Sequence, residues 1–204
     1  GPPEHLPLAD EFVAGAREGI GGLNGSHGPA ADGGARFLLY HRARRWNPRE
    51  GVWMGWERKR GKLHELNRLL RGVTDTTFLS EAGAALPVPS DVRYVITLDS
   101  DTRLPIGTVR RLVGTMAHPL NRPRLDRATQ RVVDGYAVMQ PRVTPPLPGR
   151  SGSIFQRLSS GSSGIDPYAA AVSDVYQDLF DEGSYTGKGI YDIDAFEASL
   201  ANRV

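Results

Sequence analysis

Two aspartates separated by one serine, Asp99-Ser100-Asp101, are the residues whose type and spacing most directly suggest chemistry. Carboxylates one residue apart can both point at a single hard cation, and Mg²⁺ or Mn²⁺ prefers such oxygen ligands together with substrate phosphates. A cation held there would bridge a diphosphate and stabilise the charge on the leaving group. The same pair also suits an Asx-turn ahead of a helix, so the spacing alone leaves both interpretations open.

The position of this pair favours the metal interpretation more than its spacing does. The preceding segment, Tyr94 to Leu98, is nearly all apolar or β-branched. That composition is typical of a parallel strand covered by helices on both faces. Ligands of open α/β sheets bind outside the carboxyl ends of the strands, which is where Asp99 and Asp101 fall.

A basic segment lies further upstream. Between His41 and Lys62 the acidic residues are Glu50 and Glu57, and the basic ones are Arg42, Arg44, Arg45, Arg49, Arg58, Lys59, Arg60 and Lys62. The segment leads into a predicted helix, and the free N–H groups at a helix start favour anions. We therefore predict that Lys62, which follows Gly61, contacts a nucleotide. On charge alone, a solvated basic face is the simpler interpretation.

A third pattern, Tyr185-Thr186-Gly187-Lys188-Gly189-Ile190, combines an aromatic ring with two glycines. The glycines permit close approach of the backbone to a ligand, and Tyr185 could stack on a sugar ring. The pattern alone could equally be a turn. The second aspartate pair, Asp192 and Asp194, is better explained by structure, because Asp194 with Glu197 matches a helix capping box.

Composition excludes several classes of function. The chain has 204 residues, 39% hydrophobic and 24% charged, as in an ordinary globular protein. A net charge of +2 argues against a nucleic-acid partner. The absence of cysteine excludes disulfide scaffolds, cysteine-zinc sites and thiol nucleophiles. No apolar run approaches the ~20 residues needed to span a bilayer, and no signal peptide is recognisable, so we expect the chain itself to be soluble.

Hydrophobic periodicity predicts alternating helices and strands. Weak helical spacing covers residues 10–20, and Gly21 to Ala35 has the composition of a flexible loop. Helices are also predicted over the leucines that follow Lys62 (Leu63, Leu66, Leu69 and Leu70), from Pro105 through Met116, and over residues 168–180. Strands are predicted at Phe37 to Tyr40, Tyr94 to Leu98 and Tyr136 to Met139. A long loop covers 41–60, and a Pro, Gly and Ser segment covers 144–166.

This order predicts an α/β fold with a mainly parallel sheet and flanking helices. We expect a single partial domain over residues 1–204, with 1–35 as a weakly structured lead-in and 36–204 as a core fragment.

The motifs together resemble the inverting processive glycosyltransferases of the GT-A fold, the family 2 group that includes cellulose synthase. The resemblance rests on order: Gly61-Lys62 with Asn67, then Asp99-Ser100-Asp101, then Gln140 with Pro141, then Tyr185-Thr186-Gly187-Lys188. It implies a GT-A-like fold that is incomplete at both ends. Gln140, Tyr185, Thr186, Gly187 and Lys188 would line the acceptor side.

Longer strings are similar to the central synthase domain of bacterial cyclic β-1,2-glucan synthases (family 84). They are Arg45-Trp46-Asn47-Pro48, the run from Val52 to Lys62, and the run from Tyr185 to Asp192. This resemblance implies UDP-glucose as donor, Mg²⁺ or Mn²⁺ as cofactor and β-1,2-glucosyl transfer to a growing glucan acceptor. It also implies a parent protein in the bacterial inner membrane, with transmembrane helices and a phosphorylase-like module, and this domain on the cytoplasmic face.

The same comparison leaves the general base unassigned. An inverting transfer needs a carboxylate to take the proton of the acceptor hydroxyl, and the family draws it from a segment expected beyond Val204. Asp174, Asp178, Asp181 and Glu182 are candidates only by proximity. Two other functions remain open: a sugar-phosphate nucleotidyltransferase, and a non-catalytic carbohydrate- or membrane-docking module that uses Trp46, Trp53 and Trp56.

Overall fold

A computed structural model describes residues 9–80, 85–126, 128–141, 185 and 187–200. The chain divides into two compact units, one of residues 1–93 with 197–204 and the other of residues 94–196. The first unit contains α1 (Ala9–His27), the antiparallel strands β1 (Arg45–Asn47) and β2 (Val52–Met54), and α2 (Arg58–Leu70). Leu69 and Phe78 are buried in this unit.

Helix α2 forms where the leucine spacing predicts a helix. Leu63, Leu66, Leu69 and Leu70 fall within it, and Leu69 is buried. Gly72 follows with a positive φ of 84° and donates its N–H to the carbonyl of Leu69. A glycine just past the end of a helix is the usual C-terminal cap, so the predicted helix and its end are both confirmed.

The N-terminal region departs from two predictions. Helix α1 continues to His27, through residues that the glycine-rich composition assigned to a loop. The predicted strand at Phe37 to Tyr40 is wrong. Asn24 of α1 binds both backbone groups of Phe37, because its Oδ1 accepts from the amide at 2.9 Å and its Nδ2 donates to the carbonyl at 2.9 Å. These groups are therefore not available for a strand ladder.

The segment predicted as a loop before α2 contains β1 and β2. Trp46 lies opposite Trp53 in this hairpin, with ring centroids 6.0 Å apart in an edge-to-face arrangement. Such cross-strand aromatic pairs stabilise short hairpins, which explains how an Arg-rich segment forms regular structure.

The second unit contains β3 (Tyr94–Thr97), α3 (Thr108–Ala117), a 3₁₀ turn (Pro119–Asn121) and the hairpin of β4 (Arg124–Asp126) and β5 (Arg131–Asp134). It continues with β6 (Val138–Met139) and β7 (Gly189–Asp192), which leads directly into α4 (Ile193–Leu200). Met116, Ile190, Tyr191 and Ile193 are fully buried and form its core. The unit boundary falls inside α4, after Phe196.

Strands β3, β7 and β6 form one sheet in that order. Both outer strands pair antiparallel with β7, so β3 and β6 run parallel to each other on either side of it. The strand prediction at Tyr94 is confirmed, and that at Tyr136 to Met139 holds for its last two residues. Helix α3 begins at Thr108, later than Pro105. Within the described ranges every strand pairing is antiparallel, and a mainly parallel GT-A-like sheet stays a prediction.

Helix α4 begins with a different cap from the one predicted. The Oδ1 atom of Asp192 accepts a hydrogen bond from the amide of Ala195 at 3.2 Å. The carboxylate of Glu197 instead binds His64 and Asn67 of α2. Asp192 therefore caps the helix, and the predicted capping box of Asp194 with Glu197 is wrong.

Candidate functional site

Three of the sequence patterns meet at one edge of the β3-β7-β6 sheet. Strand β3 ends at Thr97, which lies opposite Gly189, the first residue of β7. Strand β6 ends at Met139, opposite Ile190 on the other side of β7. The segments after β3 and β6 and the segment before β7 therefore emerge at the same edge. This edge, here the motif edge, carries Asp99, Asp101, Gln140, Tyr185 and Lys188.

At the motif edge, Asp99 and Lys188 form an ion pair. The Nζ atom of Lys188 lies 3.2 Å from Oδ2 of Asp99, and the side chains are 31% and 37% exposed, respectively. Water reaches both groups, so the pair contributes little to stability, up to about 1 kcal/mol. Its consequence for function is larger, because it holds a cation against one of the two carboxylates predicted to bind metal.

Tyr185 packs beside this pair. Its hydroxyl group forms a hydrogen bond with the hydroxyl of Thr97, the last residue of β3. Its ring meets Tyr191 and Phe196 edge-to-face, with centroids 6.2 Å and 5.8 Å away. Burial raises the pKa of the Tyr185 phenol, the hydrogen bond with Thr97 opposes that rise, and the negative charge of Asp99 adds to it. The phenol is therefore neutral at physiological pH.

Asp101 is exposed, at the far side of a backbone turn in which the amide of Thr102 donates to the carbonyl of Asp99 at 3.0 Å. The segment is therefore a backbone turn that carries both carboxylates. No group of three metal-ligating side chains is found among the described residues. Two carboxylates nevertheless fit a Mg²⁺ or Mn²⁺ ion that takes its remaining ligands from phosphates and water.

The glycines of the Tyr185 pattern have clear backbone roles. Gly187 is buried and has a φ of 82°, in the region that favours glycine. A Cβ on Gly189 would lie 2.5 Å from the carbonyl oxygen of Met139 and 3.2 Å from the Cα of Gln140. Only glycine allows β6 to approach so closely, and this approach brings the exposed Gln140 to the motif edge.

Lys62 lies in the first unit, on the second turn of α2, and is exposed. The preceding Gly61 is buried, and a Cβ there would overlap the carbonyl oxygen of Trp56. The glycine before Lys62 is thus required for packing of the loop that enters the helix. Arg58 and Arg60 of the same basic segment pair with Glu50 and Glu57, which supports a partly solvated basic face.

Periodicity and motif spacing did not reveal the network that holds this loop. Arg42 is buried; its Nη2 donates to the carbonyl of Trp56 at 2.9 Å and to Oε1 of Glu65 at 3.0 Å. Thr77 donates to Oε2 of Glu65 at 2.6 Å and accepts from Nε of Arg42 at 2.9 Å. The sequence feature that could have indicated this network is Glu65, a single acidic residue among the leucines of α2.

A second polar contact in the first unit joins α2 to α4. Oε2 of Glu197 lies 3.0 Å from Nδ1 of His64, and Oε1 accepts from Nδ2 of Asn67 at 2.7 Å. Asn67 is fully buried. The asparagine that follows Gly61-Lys62 in the sequence motif therefore has a structural role, because it donates a hydrogen bond to the partly buried carboxylate of Glu197.

No protein-family model matches the chain. The chain is 54% identical over 202 residues to the cyclic β-(1,2)-glucan synthase NdvB of Rhizobium meliloti (strain 1021), and the alignment covers 98% of the chain. The chain is homologous to a segment of a cyclic β-(1,2)-glucan synthase. The resemblance to cyclic β-1,2-glucan synthases that the sequence motifs indicated is thereby confirmed. The chain spans 7% of the length of that glucan synthase, so the named activity belongs to a much longer protein.

Several of the predictions made from the sequence fall outside the described residues. They are Thr186, the Pro, Gly and Ser segment 144–166, the helix 168–180 and the acidic candidates Asp174, Asp178, Asp181 and Glu182. Within the ranges that the structure does describe, none of the helices combines the length and the apolar character needed to cross a bilayer.

Proposed function

We propose that this chain supplies the donor-binding edge of an inverting glycosyltransferase that moves glucose from UDP-glucose to a growing β-1,2-glucan. The observation that carries the proposal is the convergence of Asp99, Asp101, Gln140, Tyr185 and Lys188 at the motif edge. These residues come from three separate parts of the sequence. Similarity to a protein named as a cyclic β-(1,2)-glucan synthase supports a β-1,2-linked glucan as the product.

The roles follow from charge and exposure. Asp101 and Asp99 would hold Mg²⁺ or Mn²⁺, which supplies electrostatic stabilisation of the leaving diphosphate when bound. Lys62, an exposed cation, would neutralise the diphosphate. Gln140 and the segment of Tyr185, Thr186, Gly187 and Lys188 would face the acceptor, with the neutral phenol of Tyr185 able to contact a sugar ring. We assign the general base to no residue of this chain.

Calorimetry of the whole chain tests the donor site. We expect UDP and UDP-glucose to bind in the presence of Mn²⁺ and to lose most of that binding in Asp101→Ala. Asp134→Ala is the matched control, because Asp134 is an exposed carboxylate of the same unit, in an ion pair with Arg124. Unchanged nucleotide binding in Asp101→Ala would remove the metal assignment.

The same assay separates a specific role of Lys62 from a general basic face. Lys62→Gln should weaken Mn²⁺-dependent UDP binding about tenfold, the effect of losing one charge-assisted hydrogen bond. Arg60→Gln removes a charge two residues before Lys62 that is already paired with Glu57. Equal effects of the two variants would favour a diffuse basic face.

The parent protein would lie in the bacterial inner membrane, with transmembrane helices, a phosphorylase-like module and this segment on the cytoplasmic face. Membrane fractionation of the parent protein, followed by protease protection of an epitope in this segment, tests the location. Protection of the epitope in inside-out vesicles would contradict it.

One observation favours a second function, a carbohydrate- or membrane-docking surface. Trp46 and Trp56 are 52% and 39% exposed, high values for tryptophan in a small unit. Binding of glucan or of anionic vesicles without metal or nucleotide would support it, and Trp46→Ala should then abolish binding.

A sugar-phosphate nucleotidyltransferase is distinguished by its products when nucleoside triphosphate and sugar phosphate are supplied.

A further inference from the structure

We propose that Lys188 exchanges partners during donor binding: it holds Asp99 before the cation arrives and then moves to the donor diphosphate. This inference rests on the proposed donor site and deepens it, because it places Lys188 on the donor side instead of the acceptor side. It starts from the 3.2 Å ion pair between Nζ of Lys188 and Oδ2 of Asp99.

The backbone fixes Lys188 beside Asp99. Lys188 lies between Gly187, which has a positive φ, and Gly189, which β6 contacts too closely for any side chain. Gly189 is itself paired with Thr97, two residues before Asp99. The ladder therefore sets the distance between the two backbones, whereas the long side chain of Lys188 keeps its freedom to turn towards another anion.

The solvation of the pair permits the exchange. Both side chains are about one-third exposed, so the attraction between them is screened and water can replace either partner. A divalent cation carries twice the charge of the ammonium group and can be shared by Asp99 and Asp101. In the competition for Asp99, the divalent cation is the stronger partner.

The donor diphosphate is the anion that the released ammonium group of Lys188 would bind. A nucleoside diphosphate bound through the cation would bring several anionic oxygens to the motif edge, within reach of a lysine that has just lost its carboxylate. Lysine binds phosphates as a flexible point charge, which suits a group that must serve two anions in turn. The exchange also keeps Asp99 paired with a cation in both states.

Calorimetry with Mn²⁺ alone, and then with UDP at saturating Mn²⁺, tests the exchange on the whole 204-residue chain. Lys188→Met removes the competitor for Asp99, so Mn²⁺ alone should bind about two- to fivefold more tightly. UDP should bind more weakly to the same variant, because the diphosphate loses a cation. Lys188→Arg retains the charge and should keep Mn²⁺ affinity near that of the wild type.

Arg124→Met is the matched control, since it breaks another exposed ion pair of the same unit and should change neither affinity. Circular dichroism and thermal unfolding establish that each variant is folded. If Lys188→Met is not, Lys188→Gln, which also removes the charge and should also tighten Mn²⁺ binding, takes its place. Unchanged or weaker Mn²⁺ binding in Lys188→Met, with normal wild-type binding, overturns the exchange and leaves the donor site standing. Absence of both Mn²⁺ and UDP binding in the wild type overturns the donor site and the exchange with it.

Discussion

Gly189 lies directly against the main chain of Met139, and a Cβ on Gly189 would be 2.5 Å from the carbonyl oxygen of that residue. The two residues belong to β7 and β6, whose pairing brings Gln140 to the edge that also carries Asp99 and Lys188. The geometry of the candidate site therefore depends on glycine at position 189. The close packing of the two backbones therefore explains this glycine of the sequence pattern, whether or not it also contacts a ligand.

Gly189→Ala should therefore destabilise the protein. Relief of the overlap requires β6 to move or the ladder to distort, at a cost of about 1–3 kcal/mol. Gly114→Ala is the control: no other atom lies within 4 Å of a Cβ there, and alanine in α3 should stabilise by up to about 1 kcal/mol. Urea denaturation measures both changes, and equal stabilities of the two variants would contradict the close approach of β6.

Local signals predict some of these elements well. The leucines of α2 repeat at helical spacing and Gly72 ends the helix, so both are readable from neighbouring residues alone. Tyr94 to Thr97 is likewise recognisable as a strand, because it is β-branched and apolar. The resemblance to glycosyltransferases grouped Asp99, Gln140, Tyr185 and Lys188, and the structure places these residues at the motif edge.

The remainder depends on partners far apart in the sequence. Strand β7 follows a glycine-rich pattern and contains Asp192, so no local signal assigns it to the centre of a sheet. Its neighbours are set by burial of Ile190 and Tyr191, which only the folded chain reveals. Phe37 does not form a strand for a similar reason. The side chain of Asn24 in α1 makes hydrogen bonds with the backbone amide and carbonyl of Phe37. The Lys188–Asp99 pair depends on the same long-range ladder.

The buried Arg42–Glu65 pair should make stability fall in acid. Burial alone would raise the pKa of Glu65, but hydrogen bonds from Thr77 and the charge of Arg42 outweigh it and lower the pKa below 4.5. A lowered pKa contributes stability that is present above pH 4.5 and is lost as the pH falls through the folded-state value. The free energy of unfolding should therefore decrease with acidification in this range.

Denaturant titrations at several pH values, compared between Glu65→Gln and the wild type, isolate this effect. The variant should show a shallower decline in acid and lower stability at neutral pH, because Arg42 is left buried without a carboxylate. Glu50→Gln removes a carboxylate from an exposed pair with Arg58 and should follow the wild-type curve. If the free energy of unfolding of Glu65→Gln depended on pH as that of the wild type does, the Arg42–Glu65 pair would not be the cause of the loss of stability in acid.

Asp192 should be the residue that starts α4. Asp192→Ala removes the acceptor for the amide of Ala195 and should cost about 1 kcal/mol, as the loss of an N-cap does. Asp192→Asn keeps an equivalent acceptor and should retain most of the stability. Thermal unfolding of the two variants is the measurement, and equal losses would show that the negative charge of Asp192, not its capping bond, is what matters.

The phenol of Tyr185 reports directly on the charge of Asp99. Burial and that charge raise the pKa of Tyr185 above its usual value of 10.0, whereas the hydrogen bond with Thr97 lowers it. Asp99→Asn should therefore shift the pKa of Tyr185 downward, and Thr97→Val should shift it upward. The chain has 7 tyrosines, so the signal of Tyr185 is obtained as the difference in tyrosinate absorbance between each protein and the same protein carrying Tyr185→Phe.

Addition of Mn²⁺ extends this titration to the candidate metal site. A divalent cation at Asp99 neutralises the charge that raises the pKa, so saturating Mn²⁺ should lower the pKa of Tyr185 in the wild type and leave Asp99→Asn nearly unchanged. Asp134→Asn, an exposed carboxylate at the end of β5, should behave as the wild type does. Equal shifts in the wild type and in Asp99→Asn would place the bound cation elsewhere, because the effect would then not pass through the carboxylate that lies beside Lys188.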